Sequence, residues 1–323
     1  MLTIGVDVGG TSVRAGLVDP EGSVLDLRRA PTPAGTEALE DVITGMVTAL
    51  RHNHGRGAEH GRAGAVGLAV AGFVSADRRQ VRFSPHLPWR EAAVAERVER
   101  RVGVPVLLEH DANAAAVAEH RFGAAGGADV AVLVVLGTGI GGALLVRGEL
   151  YRGAYGVAPE LGHLRLVPDG RPCPCGKRGG WERYCSGTAL VTTTLELLAR
   201  HGPAAGALAG EAAADPSRIT GRRVAAAARQ GDPVARRAMG ELARWLGEGL
   251  ALVADVFDPE VVVVGGGVSQ SAPMFLDEAR EHHAAVVTGS EHRPLAQIRA
   301  AQLREDSGIV GAALLARSLL PGA

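Results

Sequence analysis

The chain has 323 residues, enough for about two domains with cores of their own. Charged residues make up 21% and the formal net charge is −1, so no overall basic field points to nucleic acid or to an anionic membrane surface. Hydrophobic residues reach 46%, dominated by Ala, Val and Leu, with only 3% aromatic. The first nine residues, MLTIGVDVG, carry neither a basic n-region nor a cleavable apolar stretch. The longest apolar runs, such as Val130–Leu136, have the length of a strand and fall far short of a membrane span. Three cysteines, Cys173, Cys175 and Cys185, cluster together, and an odd, clustered number favours metal or free thiols over structural disulfides. These features predict a soluble, cytoplasmic protein.

Taken in chain order, Leu2–Val8 alternates β-branched residues and ends in Gly9-Gly10-Thr11, which predicts a strand and a turn; Val13–Val18 follows as its hairpin partner and Ser23–Arg29 as a third antiparallel strand. Pro31-Thr32-Pro33 reads as an extended linker. Thr36–His54 has helical periodicity, with Leu39, Val42, Ile43, Met46, Val47 and Leu50 on one stripe. Ala65–Ala71 and Val104–Leu108 read as short buried strands, with a helix near Glu91–Arg101 between them. Asp111–Phe122 reads as a helix that starts on a carboxylate, where the helix dipole favours one. The pattern then repeats: Val130–Leu136, a turn Gly137-Thr138-Gly139-Ile140-Gly141-Gly142, and Ala143–Arg147 as hairpin partner. Helices are expected at Gly187–His201, Ile219–Gln230 and Pro233–Phe257, a strand at Val261–Val264 before Gly265-Gly266-Gly267, and a final helix at Ser307–Leu319. Gly202–Ala214 reads as a loop or short helix.

Two of these turns have the composition of phosphate cradles. Glycine lets backbone N–H groups approach phosphate oxygens, and Thr11 and Thr138 add hydroxyl donors. A pair of plain tight β-turns is the alternative, because the spacing matches neither the P-loop nor the dinucleotide fingerprint. Asp111 sits at a strand-to-helix junction, at the C-terminal end of a strand, where open α/β sheets place ligands. It is a candidate general base for phosphoryl transfer to a hydroxyl, and equally a simple helix N-cap. Glu160-Leu161-Gly162-His163 is bounded by Pro159 and Gly162, so it reads as a loop and not as a surface helix pair.

Asp7-Val8-Gly9-Gly10-Thr11, Glu109-His110-Asp111-Ala112-Asn113-Ala114-Ala115-Ala116 and Gly162-His163…Cys173-Pro174-Cys175-Gly176…Gly180-Trp181-Glu182 together resemble the ROK family of sugar kinases and sugar-sensing repressors, most closely its bacterial glucokinase branch. The resemblance runs from Leu2 to about Leu320. It implies an α/β fold of the actin-like ATPase type: two domains, a duplicated β-meander with helices, and a cleft between lobes. The smaller domain would span 1–115 plus about 305–323, with 116–304 as the larger.

The resemblance further implies ATP-dependent phosphorylation of glucose, with Asp111 as catalytic base and Mg-ATP as the nucleotide. Asp7, Gly9, Gly10, Thr11, Gly137, Thr138 and Gly139 would face the phosphates, Asp7 holding a water on magnesium, and Gly265, Gly266 and Gly267 would line the nucleotide base. Gly72, His110, Asp111, Glu160, His163 and Glu182 would contact the sugar. A structural zinc would be held by His163, Cys173 and Cys175, with Cys185 as the remaining thiol, since the cysteine expected at position 180 is Gly180. Two other departures are Ser12, where the family usually has lysine, and His110, where it usually has asparagine. A homodimer or homotetramer is implied, with neither nucleic acid nor membrane as partner. Competing readings are a kinase for fructose or an N-acetylhexosamine, polyphosphate as donor, and a weakened sugar-binding regulator. A DNA-binding repressor is disfavoured because Asp7 comes so early in the sequence.

Overall fold

The computed structural model describes residues 1–53, 62–201 and 207–322. His54 and residues 202–206, which belong to segments assigned above, lie outside them. The chain divides into two compact units. The first comprises 1–133, 143–159 and 302–323; the second comprises 134–142 and 160–301.

Strands β1 (Thr3–Val8), β2 (Ser12–Val18) and β3 (Val24–Pro31) form the expected meander. Helix α1 (Thr36–Asn53) follows, then β4 (Val66–Val70), β5 (Phe73–Val74), β6 (Val81–Phe83), β7 (Arg90–Ala92) and α2 (Val94–Val102). Strand β8 (Val106–His110) leads directly into α3 (Asp111–Phe122). The five-stranded sheet has the order β3-β2-β1-β4-β8, with β1, β4 and β8 parallel. Strands β1, β4 and β8 are almost fully buried, as parallel strands covered on both faces are. Leu39, Ile43, Val47 and Leu50 of α1 join this core, as the periodicity predicts.

The second half repeats the plan. Strands β9 (Val130–Leu136), β10 (Ile140–Val146), β11 (Glu149–Leu150), β12 (Val261–Gly265) and β13 (Gln297–Ala300) form a sheet in the order β11-β10-β9-β12-β13, with β12 and β13 parallel. Helices α4 (Gly187–His201), α5 (Ala207–Ala214), α6 (Gly221–Arg229), α7 (Pro233–Phe257) and α8 (Leu276–Val286) belong to the second unit. Helix α7 starts from an Asp232 cap that accepts the Ala235 N–H at 2.9 Å, and ends at Asp258 in the left-handed region. The small antiparallel sheet β5-β6-β7, α8 and β13 are additions to the sequence reading.

The last helix, α9 (Ser307–Ala316), packs on β1, β4 and α3 within the first unit. The approach is backbone to backbone. A Cβ on Gly5 would lie 1.8 Å from the Ile309 carbonyl oxygen, one on Gly67 2.0 Å from that of Ala312, and one on Gly311 1.7 Å from that of Ala114. The buried Glu119 carboxylate ties the same region together by accepting N–H groups from Ala124 at 2.8 Å, Gln302 at 3.1 Å and Leu303 at 2.8 Å. Replacing Gly311 by Ala must push α9 off α3, and overpacking of this kind costs about 3 kcal/mol or more where backbone cannot give way. Urea denaturation of Gly311→Ala is therefore expected to show that loss; wild-type stability would refute the close contact.

Candidate active site

In the first unit, β1 ends in Asp7 and Val8; Asp7 pairs across to Arg14 of β2 and lies beside Ala69 of β4. The turn that follows is pinned by Thr32, whose hydroxyl donates to the Gly9 carbonyl at 2.6 Å and whose N–H donates to the Thr11 carbonyl at 3.2 Å. Loss of solvation around Asp7, reinforced by the negative charge of Asp111 and opposed by Arg14, raises its pKa from 3.8 to about 6. Asp7 thus lies close enough to Asp111 to sense its charge.

Asp111 is the first residue of α3, and the cap position belongs to His110 (φ −62°, ψ 139°), which makes no side-chain cap bond. The simple N-cap alternative for Asp111 is thereby removed. Its Oδ1 accepts the Ala112 N–H at 2.7 Å and lies 3.2 Å from His110 Nε2, while its side chain remains 40% exposed. The junction is locked from behind by Glu109, 2% exposed. Glu109 Oε1 accepts from the His110 N–H at 3.0 Å and from Asn113 Nδ2 at 2.9 Å; its Oε2 accepts from Arg152 Nε at 2.7 Å, with Arg78 Nε at 3.7 Å. Arg78 and Arg152 escape the sequence reading; Arg78 holds a positive φ of 61°, which no local motif signals. Gly72 packs against Phe83 and Ser84, where a Cβ would meet the Phe83 carbonyl oxygen at 2.6 Å.

In the second unit, the turn after β9 is held by its Gly137 carbonyl, which accepts the Gly187 N–H at 2.8 Å at the start of α4. A Cβ on Gly137 or Gly267 would meet no protein atom within 4 Å, so both turns present bare backbone. Thr138, between Gly137 and Gly139, is exposed. Gly266 has a different reason for being glycine: its φ is 85°, and a Cβ there would lie 2.5 Å from the Leu136 carbonyl oxygen. Gly265 closes β12.

Glu160, His163 and Glu182 come together. His163 sits on a 3-10 turn, Leu161–His163, with Nε2 3.7 Å from Glu160 Oε2 and Nδ1 3.7 Å from Glu182 Oε1. Glu182 rides on the turn Trp181–Arg183, anchored by fully buried Trp181, whose Nε1–H donates to the Trp245 carbonyl of α7 at 2.7 Å. Glu182 Oε2 lies 2.3 Å from where a Cβ on Gly139 would stand, so a side chain at that point of the turn would displace the Glu182 carboxylate.

His163, Cys173 and Cys175 form a metal-competent group, with one ligand atom from each within 4.8 Å of the others. Cys175 Sγ lies 3.0 Å from Cys173 Sγ, and burial with the neighbouring Cys175 pushes the Cys173 thiol up to about 12. These three residue types suit zinc. Cys185 does not join them, which corrects the expected ligand set. It is fully buried, its thiol points to the Leu242 carbonyl of α7 at 3.8 Å, and burial holds it protonated. The turn at Trp181–Arg183 carries the chain past the group before Cys185 is reached.

Asp7 binds its proton more tightly in the folded protein than in the unfolded chain. Its contribution to stability is therefore full below about pH 4 and is lost as pH rises through about 6. At pH 8 the ionised carboxylate costs about 2–3 kcal/mol, because each tenfold gain in proton affinity on folding corresponds to roughly 1.4 kcal/mol. Asp7→Asn is expected to raise the thermal midpoint at pH 8 in EDTA, and the gain should vanish near pH 4. Equal midpoints at pH 8 would refute this.

A model of the ROK family matches residues 3–318. The glucokinase of Streptomyces coelicolor is 44% identical over 316 residues, covering 98% of each chain. A ROK family glucokinase from Streptomyces griseus, solved with glucose and AMPPNP, has a TM-score of 0.87 at 45% identity, covering 98% of this chain and 100% of that one. A ROK hexokinase from Thermus thermophilus has a TM-score of 0.78 at 32% identity, covering 98% of both. Among the described residues, no helix is long and apolar enough to cross a membrane. The chain belongs to the ROK family and has its actin-like ATPase fold.

Proposed function

We propose that this chain is a glucokinase, transferring the γ-phosphoryl group of ATP to the 6-hydroxyl of glucose. The observation that carries the reading is Asp111, an exposed carboxylate on the first turn of α3 at the end of a parallel strand, with its backbone locked by buried Glu109. Oδ1 is engaged by the Ala112 N–H and His110, which leaves Oδ2 to accept the hydroxyl proton. As that proton moves to Asp111, the substrate oxygen bonds to phosphorus and the bond to the departing ADP oxygen breaks. The 44% identity to a glucokinase over nearly the whole chain supports the same substrate pair.

The remaining assignments follow the same reading. Gly72, His110, Glu160, His163 and Glu182 contact the sugar; carboxylates and imidazoles suit vicinal hydroxyls because they offer paired hydrogen-bonding atoms. Gly9, Gly10, Thr11, Gly137, Thr138 and Gly139 face the phosphates, and Gly265–Gly267 line the adenine. Magnesium, when bound, neutralises phosphate charge, and Asp7 would hold one of its waters. His163, Cys173 and Cys175 would hold a structural zinc that keeps the Glu182 loop in place. The protein is assigned to the cytoplasm as a homodimer or homotetramer, supplying glucose 6-phosphate to glycolysis.

The test is a coupled assay with Mg-ATP against glucose, mannose, fructose and N-acetylhexosamines, with polyphosphate as a second donor. Glucose with ATP should give the highest kcat/KM. Asp111→Asn is expected to lower turnover by roughly 10²–10⁴, with a much smaller change in the glucose KM. Unchanged turnover would remove Asp111 as the base.

A further inference from the structure

We infer that Arg152 is a positioning residue for the reaction: through buried Glu109 its side chain fixes the backbone beside Asp111, while its main chain closes the loop that leads to Glu160. The inference rests on the kinase reading, in which Asp111 is the base. Arg152 lies two residues beyond β11 and belongs to the first unit, as do Glu109 and Asp111. Glu109 Oε1 accepts the His110 N–H at 3.0 Å and Asn113 Nδ2 at 2.9 Å, so the His110 backbone stays in place only while that carboxylate does not turn. The other oxygen prevents the turn, because Oε2 accepts from Arg152 Nε at 2.7 Å. Arg78 is the lesser partner. Its Nε stands 3.7 Å from Oε2, and among the described residues neither its Nε nor its Nη2 finds a hydrogen-bond partner. Arg78 acts by its main chain instead, its carbonyl accepting the Leu108 N–H at 3.0 Å.

The two halves of Arg152 do different work. Glu109 is 2% exposed, so water does not replace a lost guanidinium where the carboxylate stands. Without Arg152 the carboxylate must turn, take up a proton or draw water inward, and each of these changes the grip of Oε1 on His110. Displacing a base by about 1 Å can slow a reaction by about a hundredfold. The Arg152 carbonyl, in contrast, accepts the Ala158 N–H at 3.1 Å and closes residues 152–158 into a loop. That loop is seated on β5: Gly156 has a φ of 84°, and a Cβ there would lie 2.9 Å from the Val74 carbonyl oxygen and 3.1 Å from the Ala76 nitrogen. Ala158 comes two residues before Glu160, which the kinase reading assigns to the sugar. A substitution at position 152 removes the side chain and keeps the carbonyl, so it disturbs the base and leaves the loop closed.

The test is steady-state kinetics of the purified full-length protein with Mg-ATP and glucose. Arg152→Gln is expected to lower kcat by about ten- to a hundredfold and to leave the glucose KM within about twofold of wild type. Arg152→Lys, which restores a positive charge to Glu109, should recover most of the loss. Arg78→Gln should cost less than about threefold, because no side-chain hydrogen bond is lost. Glu109→Gln leaves no buried charge behind, so it guards against a folding defect in Arg152→Gln, and it should slow turnover likewise. The decisive variant is the double one. If Arg152 acts through Asp111, Asp111→Asn with Arg152→Gln is about as slow as Asp111→Asn alone, whereas a merely structural role makes the losses multiply. Wild-type kcat in both Arg152→Gln and Glu109→Gln, an Arg78→Gln loss as large as that of Arg152→Gln, or multiplying losses in the double variant would each overturn the inference alone. A wild type that phosphorylates no sugar, or an unimpaired Asp111→Asn, would remove the kinase reading and this inference with it.

Discussion

Helix α9 lies so close to strands β1 and β4 that no side chain fits between them. Gly5 and Gly67 present bare backbone to the carbonyls of Ile309 and Ala312, and on the other side Gly311 meets Ala114 of α3. The small residues Ala69, Ala114 and Ala312 pack into one cluster around this contact. Interiors built at this density tolerate little change of volume, so the positions of β1, α3 and α9 are fixed relative to one another. Asp7 lies at the end of β1, Asp111 begins α3, and Gly308 stands in the first turn of α9 beside the Asp7 carboxyl.

Within that frame, two carboxylates are treated in opposite ways. Glu109 is almost completely buried, yet it is met by two guanidinium groups, an amide and a backbone N–H. Its charge is compensated, and it serves to hold the β8–α3 junction. Asp7 has the field of Arg14 in its favour, but burial and the charge of Asp111 outweigh it. A carboxylate left so poorly compensated is the kind of group found where a positive charge is to be received. The contrast is between a carboxylate whose buried charge is met by partners and one whose charge is not.

Much of this is legible in the sequence because it is local. Alternation followed by glycine marks β1, an apolar run followed by glycine marks β9, and the ends of α3, α4 and α7 fall at the predicted residues. The start of β10 at Ile140 is not legible because Gly141-Gly142 reads as turn, whereas both residues are part of the strand. Short strands such as β5, β6 and β7 carry too few residues for a period to show. The partners of Glu109 are invisible for another reason: Arg78 and Arg152 reach it from distant parts of the chain, and spacing says nothing about such pairs. Cys185 illustrates the same limit. Its proximity in sequence to Cys175 suggests a shared metal, but one tight turn sends its thiol to α7.

The placement of α9 also sets an order of events during synthesis. Strands β1 and β4 are complete by Val70, but the helix that covers Gly5 and Gly67 begins only at Ser307, after the whole second unit has been made. At about 5–20 residues per second, those strands wait roughly 12–50 s with one face uncovered. Residues 160–301, in contrast, form an almost continuous unit that is available to fold during that interval. The unit made first is thus the one finished last, and until α9 is made the face of β1 and β4 that carries Gly5, Gly67 and Ala69 lacks its cover.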